Sequence, residues 1–425
     1  MYRLIGGILL VAGTAIGAGM LALPIVTGFA GFWPTMALFL LYWLYMTFTA
    51  CLILEAGCWM EAHSNLITMA AQTLGKGGKW FSWIVYLFLL YTLTTAYLAG
   101  AGPIFLDGIA SFTGWKLPTW THPFPILILF SLFVYQGARS VDYANRFLML
   151  GLILSYLLIV VLLTPHVERR LLEQVDWKSL WIAVPIVSTS FGFHIIIPTL
   201  IDYFGRDVKR LKWAILVGSA LPLLVYVSWE FLALGIIPLH GALGLMEGYE
   251  HGIDGATLLS LFLGKTELSW LVRLFSLFAI LTSFLGVSLS LRDFLADGLG
   301  IPKTSQGRLF LYFLTFAPPL VITLTDPRAF LDALEYAGVF GVVALLGLLP
   351  VLMVWRGRYT QKRTGSFRVP GGRWALGIAY AISLIVIGLE IANKTGFIYY
   401  DRQQTIEATV YDRRGDERTT ADLNR

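Results

Sequence analysis

Two short stretches carry residue types that a membrane helix ordinarily avoids. Gly13-Thr14-Ala15-Ile16-Gly17-Ala18-Gly19 interrupts an apolar run from Gly6 to Pro24. Ser188-Thr189-Ser190-Phe191-Gly192-Phe193-His194 interrupts a second run, from Trp181 to Leu200. Glycine costs about 1 kcal/mol relative to alanine in a helix interior. Gly13 and Gly17 form a small-xxx-small pair, which close helix packing would explain. A discontinuous helix explains more, because its unwound N–H and C=O groups become available to a ligand at the membrane midplane. A proline follows each break at a similar distance, Pro24 seven residues after Gly17 and Pro198 six after Gly192. Paired interruptions favour the broken-helix reading. A dinucleotide loop is excluded, since no strand precedes the glycines.

Other polar residues fall inside apolar runs. His194 sits in the second break; its readings are a satisfied structural histidine, a gating or proton-carrying group, or a ligand contact. Thr282 and Ser283 lie mid-run, where hydroxyls either bond back to their own helix or ligate a hard cation such as sodium. Tyr91 and Thr95 lie one turn apart at mid-depth and could face the same ligand. Glu230, Arg273, Glu335 and Glu390 are costly charges for which snorkelling at span ends is the plain explanation. No HExxH and no paired intramembrane aspartates occur, and no histidine cluster suggests a metal. A membrane enzyme therefore lacks its acid–base or metal groups, and no filter signature supports a channel. No cofactor and no metal are expected.

The elements that hold these residues are membrane spans. The chain has 425 residues, 57% hydrophobic and 13% charged, with mean hydropathy +0.72. Apolar runs of span length recur throughout, which makes the chain an all-α integral membrane protein. The spacing predicts about eleven transmembrane helices, near 4–28, 33–58, 81–106, 124–138, 147–164, 181–204, 212–236, 269–294, 308–324, 330–354 and 374–393. Trp33, Trp80, Trp83, Trp177, Trp181, Trp213, Trp270, Trp355 and Trp374 mark their ends as an interfacial belt. Cys51 and Cys58 are two turns apart on one helix, roughly 10 Å and too far for a disulfide. The first run shows no cleavage site and reads as span 1.

Loops on the side of the N-terminus hold eighteen Lys and Arg, six of them between Arg356 and Arg373; the opposite loops hold six, Lys116, Arg169, Arg170, Lys178, Lys265 and Arg328. The N-terminus is therefore expected in the cytoplasm. Eleven spans then put the C-terminus outside, although its tail is basic. The net charge of +5 reflects this topology and gives no argument for nucleic acid. Residues 400–425 are polar and read as a disordered tail. The loop 237–268 is expected to form a short lid-like helix.

The segments GTAIGAGMLALP (13–24), GARSVDYANR (137–146), SFGFHIIIPTL (190–200) and TSFLGVSLSLRDFLADGLG (282–300) resemble the hydroxy and aromatic amino acid permeases of bacteria, above all the tyrosine- and tryptophan-permease branch. The resemblance runs through span 11. It implies the amino acid–polyamine–organocation superfamily and a LeuT-like 5+5 inverted repeat, with spans 1–5 in residues 1–164, spans 6–10 in 181–354, and span 11 in 374–393. It also implies the inner membrane, an amino acid substrate and no enzyme activity. The substrate's backbone groups would meet Thr14, Ala15, Ile16, Gly17, Ala18 and Gly19, and Ser190, Phe191, Gly192, Phe193 and His194. A half-helix N-terminus suits its carboxylate and C-terminal carbonyls its ammonium group, with Phe191 and Phe193 as an aromatic wall. The resemblance implies import of an aromatic amino acid, tyrosine foremost, by proton symport; sodium coupling through Thr282 and Ser283 is the alternative. A lysine in span 5, used by some proton-driven relatives, is missing from this span, which has no ionisable residue.

Overall fold

The computed structural model describes residues 2–395 apart from 62, 63, 116, 265 and 303. The tail 400–425 lies outside the described residues, as do His63, Lys116, Lys265 and Lys303. Among the described residues every regular element is a helix, because backbone groups in lipid must be satisfied within their own segment. In chain order these are α1 Tyr2–Ala15, α2 Gly19–Thr27, α3 Phe32–Cys58, α4 Leu66–Thr113, α5 Pro123–Gln136, α6 Ala138–Leu163, α7 Arg169–Leu172, α8 Leu180–Ser190 and α9 Ile197–Tyr203. They continue as α10 Val208–Ile236, α11 Leu245–Glu250, α12 Gly255–Phe262, α13 Glu267–Leu299, α14 Ser305–Thr325, α15 Ala329–Tyr336, α16 Leu349–Tyr359 and α17 Gly372–Lys394.

Among the described residues nine helical stretches are long and apolar enough to cross a membrane, and the bent pair α1–α2 makes a tenth. The eleventh expected span is present as α5, but its 14 residues reach only about 21 Å at 1.5 Å per residue, short of a 30 Å hydrocarbon core. Two features depart from the regular spans expected. Gly75 takes φ +79°, which splits Leu66–Leu74 from the long span of α4. Between α15 and α16 the chain runs as a π-helix, Ala337–Leu348. Glycines there permit close approach: a Cβ on Gly338 would strike the Pro185 carbonyl of α8, and one on Gly347 the Tyr45 hydroxyl of α3.

The two faces of the bundle are finished differently. On the α11–α12 side the expected single lid helix is two helices. Gly28 sits against Leu245 of α11, and Gly255 of α12 against Pro24, so both helices cover α2. On the other face Glu55 and Arg358 form a buried ion pair, their side chains 1% and 4% exposed. Arg358 Nε donates to Glu55 Oε1 at 2.6 Å, and the Val369 N–H donates to Glu55 Oε2 at 2.7 Å. The pair ties α3 to α16 and to the loop before α17.

Trp33, Trp80, Trp177, Trp213, Trp270, Trp355 and Trp374 stay exposed, as amphipathic rings that favour the interface would; Trp83, half-buried against Phe294 of α13, and the half-buried Trp181 do not. The snorkelling expectation fails for three carboxylates. Glu230 is wholly buried, Glu335 is held by Lys394 at 3.0 Å, and Glu390 lies 3.8 Å from the same ammonium. Arg273 fits the interface reading, reaching Asp107 at 3.3 Å and the Trp270 ring at 5.6 Å. Cys51 and Cys58 are free thiols.

Candidate functional site

The first break is narrower than the sequence suggests. Thr14 and Ala15 complete α1, Gly19 opens α2, and only Ile16, Gly17 and Ala18 leave the helix, with a 54° bend between the halves. The backbone ladder resumes with Met20 N–H to Gly17 C=O at 3.2 Å. The N–H groups of Gly17 and Gly19 donate to no backbone carbonyl. The Ala18 N–H is satisfied by Ser283 Oγ of α13 at 3.1 Å.

In the second break α8 stops at Ser190, Phe191–Phe193 turn, and a 3₁₀ turn, His194–Ile196, leads into α9. Pro198 stands in the first turn of α9, where a missing N–H costs nothing and its fixed φ helps the helix start. The breaks meet: a Cβ on Gly19 would lie 3.2 Å from Ser190 Oγ. Tyr226 of α10 ties them together. Its hydroxyl lies 2.7 Å from the Ala15 carbonyl and 2.8 Å from the Ser190 carbonyl, the last residues of α1 and α8. One O–H shared by two acceptors satisfies carbonyls that helix ends leave orphaned.

A cavity of about 290 Å³ lies at this junction. Thr14, Ala15, Ile16, Gly17, Gly19, Ser190, Gly192, Thr282 and Ser283 line it. Ala18, Phe191, Phe193, His194, Tyr91 and Thr95 do not, contrary to the expectation for these residues. Ala18 is fully buried at the bend. Phe191 packs edge-on to Phe39 and Tyr226, at 5.7 and 5.2 Å between ring centres, so it serves the core. Phe193 lies against the His194 ring, and His194 Nε2 is 2.8 Å from Thr49 Oγ1 of α3. Tyr91 turns the other way on α4 and donates to the Leu314 carbonyl at 2.8 Å; Thr95 bonds back to Tyr91 C=O. Thr282 and Ser283 both donate to the Ala279 carbonyl, at 3.0 and 2.9 Å.

Residues not singled out from sequence complete the wall. Tyr86, Leu90, Leu93 and Tyr97 of α4 line the cavity, as does Asn145 of α6, whose Oδ1 is sealed from solvent with no hydrogen-bond partner. The signal for the α4 face was helical spacing: 86, 90, 93 and 97 fall on one stripe. Tyr226 and Asn145 had no such signal. A second recess, of about 570 Å³, shares Tyr86 and Ile195 with the cavity and runs toward Lys79 and Asp297, on the face opposite α11 and α12.

Broken half-helices meeting at a walled cavity inside an all-helical, many-span chain define a membrane transport protein. The sequence profile of the tryptophan/tyrosine permease family matches residues 1–390, and the chain belongs to that family. It is 33% identical over 404 residues to a tyrosine-specific transport system 1 of Haemophilus influenzae, covering 94% of this chain and 99% of that protein. It is 32% identical over 400 residues to a tryptophan-specific transport protein of Pseudomonas aeruginosa, covering 91% and 95%. In fold it is similar to a manganese transporter of Eremococcus coleocola, with a TM-score of 0.62 at 14% identity over 93% of this chain and 88% of that one. The chain is thus a permease and not an enzyme.

Proposed function

We propose that the chain is a secondary active transporter that imports aromatic amino acids, tyrosine foremost, by proton symport with alternating access. In this reading residues 1–164 and 181–354 are LeuT-like inverted repeats. The basic face, into which the recess beside Lys79 opens, is cytoplasmic in the bacterial inner membrane.

The observation that carries the proposal is the cavity between the two breaks. The free N–H groups of Gly17 and Gly19 suit a carboxylate. The stripe Tyr86, Leu90, Leu93 and Tyr97 offers an apolar wall for an aromatic ring. At about 290 Å³ the space lies at the small end of ligand pockets, roughly 300 Å³ and up. The relatives named for tyrosine and tryptophan support an aromatic cargo. Ser283 argues for protons over sodium. Its oxygen accepts the Ala18 N–H, so it faces the positive end of a peptide dipole where a sodium site needs carbonyl oxygens. The covered α11–α12 face and the recess on the other side fit one state of an alternating cycle.

The test is uptake into proteoliposomes of labelled tyrosine, tryptophan, phenylalanine and serine, with the potential clamped and pH and sodium gradients imposed separately. An inward proton gradient should drive tyrosine uptake, and replacing sodium by choline should change nothing. Uptake that stops without sodium and ignores the pH gradient would return the coupling site to Thr282 and Ser283.

A further inference from the structure

Glu230 lies in α10, wholly buried, one helical turn beyond Tyr226 on the same face. Its Oε2 is 2.8 Å from Thr27 Oγ1, at the end of α2, and its Oε1 has no partner. Thr27 Oγ1 is also 2.8 Å from the Leu23 carbonyl oxygen. The threonine has a single hydrogen. A carbonyl oxygen can only accept, so the Thr27 hydrogen is donated to Leu23 C=O whenever that bond is made. If the Thr27 hydrogen stays on Leu23 C=O, a carboxyl hydrogen on Glu230 Oε2 bridges to Thr27; if Glu230 is ionised, Thr27 donates to it, alone or shared with Leu23. An ionised Glu230 would also leave Oε1 bare in a dry site, which is costly for a charge.

No cation offsets such a charge among the described residues. Tyr226 on α10 is engaged at the breaks, and Lys209, Arg210 and Lys212 stand at the far end of that helix. Of the elements packed on α10, α1 carries only Arg3, while α2 and α12 carry no charge. The Asp254 carboxylate, before α12, caps the Ala256 and Thr257 N–H groups. On α3, Glu55 is spent on Arg358. On α6, Arg139, Asp142 and Arg146 lie in the first third of the helix, with Tyr143 beside them; Tyr156 is the group facing α10, and its hydroxyl bonds Val225 C=O and Ser228. His166 and Glu168 precede α7, which holds Arg169 and Arg170, and this segment meets α10 at its Gly235 end, where the Glu168 N–H donates to the Gly235 carbonyl; the partner recorded for Glu230 is Thr27.

We propose that Glu230 binds the transported proton and that its contact with Thr27 couples protonation to the seating of α2. The proposal rests on the proton-symport reading above. With Glu230 protonated, the last residue of α2 is latched to α10 beneath α11 and α12. On release the Oε2–H bond breaks, water admitted beside Tyr226 takes the proton, and the Thr27 hydrogen turns from Leu23 C=O to the new carboxylate. The charged group then demands solvation, so α2 parts from α10 until a proton returns.

The test uses the full chain in proteoliposomes. A gradient of about one pH unit supplies about 1.4 kcal/mol per proton, which accumulates substrate about tenfold for one proton per cycle. Glu230→Gln keeps a donor for Thr27 and cannot exchange a proton. It should exchange labelled tyrosine with internal tyrosine at close to the parent rate, yet show no pH-driven accumulation. Tenfold accumulation by Glu230→Gln would overturn the proposal. A parent protein with no pH-driven accumulation would show instead that the proton reading itself is wrong. Should the glutamine variant misfold, infrared spectra of the parent and of Thr27→Val decide. A protonated-carboxyl band should be present, shift when the hydroxyl acceptor is lost, and disappear at high pH; its absence from the parent would also overturn the assignment.

Discussion

Replacing Gly17 with leucine should abolish uptake while leaving the protein in the membrane. Gly17 stands in the three-residue break between α1 and α2, and a Cβ there would lie 2.5 Å from Ser283 Oγ, below any ordinary contact. Ser283 cannot yield freely, because it holds the Ala18 N–H at 3.1 Å and donates to Ala279. The leucine side chain must therefore enter the cavity that Gly17 lines. Leucine is also the better helix former, by about 0.8–1.0 kcal/mol, and it inserts into membranes favourably, so a folding or insertion failure is not the expected cause. Membrane-fraction abundance should match the parent while tyrosine uptake falls to background. Near-normal uptake would mean that Gly17 only packs helices. Gly192→Leu should impair uptake less severely, since its Cβ would meet Thr189 O and Val342 Cγ2 at 3.2 Å each.

Arg358→Ala should cost about 3–5 kcal/mol of stability, the usual penalty for leaving one partner of a buried ion pair alone. Glu55 would keep the Val369 N–H but lose both guanidinium bonds at 1% exposure. The loop before α17 would lose one of its two ties as well, because Arg358 Nη2 also donates to the Val369 carbonyl at 2.8 Å. Thermal unfolding of the purified protein in detergent reads the effect as a lowered midpoint. The double variant Glu55→Met/Arg358→Met should recover much of the loss, since apolar replacements avoid the stranded charge. An unchanged midpoint for Arg358→Ala would show that water reaches the pair.

The sequence made the spans and the two breaks legible because both are one-dimensional signals. Long apolar runs mean spanning helices, and glycines beside hydroxyls at mid-run stand out against them. Orientation about a helix axis is not one-dimensional. Tyr91 and Thr95 were singled out by depth, yet the cavity takes the Tyr86–Tyr97 stripe on another face of α4. Phe191 and Phe193 are the right residue types at the right depth, but Phe39, Tyr226 and His194 claim their rings. The π-helical stretch 337–348 reads like any apolar helix, because α and π forms share the same composition. Glu230 is close enough to a span end to pass as an interfacial charge. Only three-dimensional burial, with Thr27 as its one partner, separates it from a snorkelling glutamate.

A cryo-electron microscopy structure with tyrosine bound would show whether the paired breaks bind the backbone of an aromatic amino acid. The carboxylate should lie within about 3 Å of the Gly17 and Gly19 N–H groups, the ring against Tyr86, Leu90, Leu93 and Tyr97, with both breaks unwound. Tyrosine seated elsewhere, such as in the recess beside Lys79, with continuous helices through 16–18 and 191–193, would contradict that binding mode.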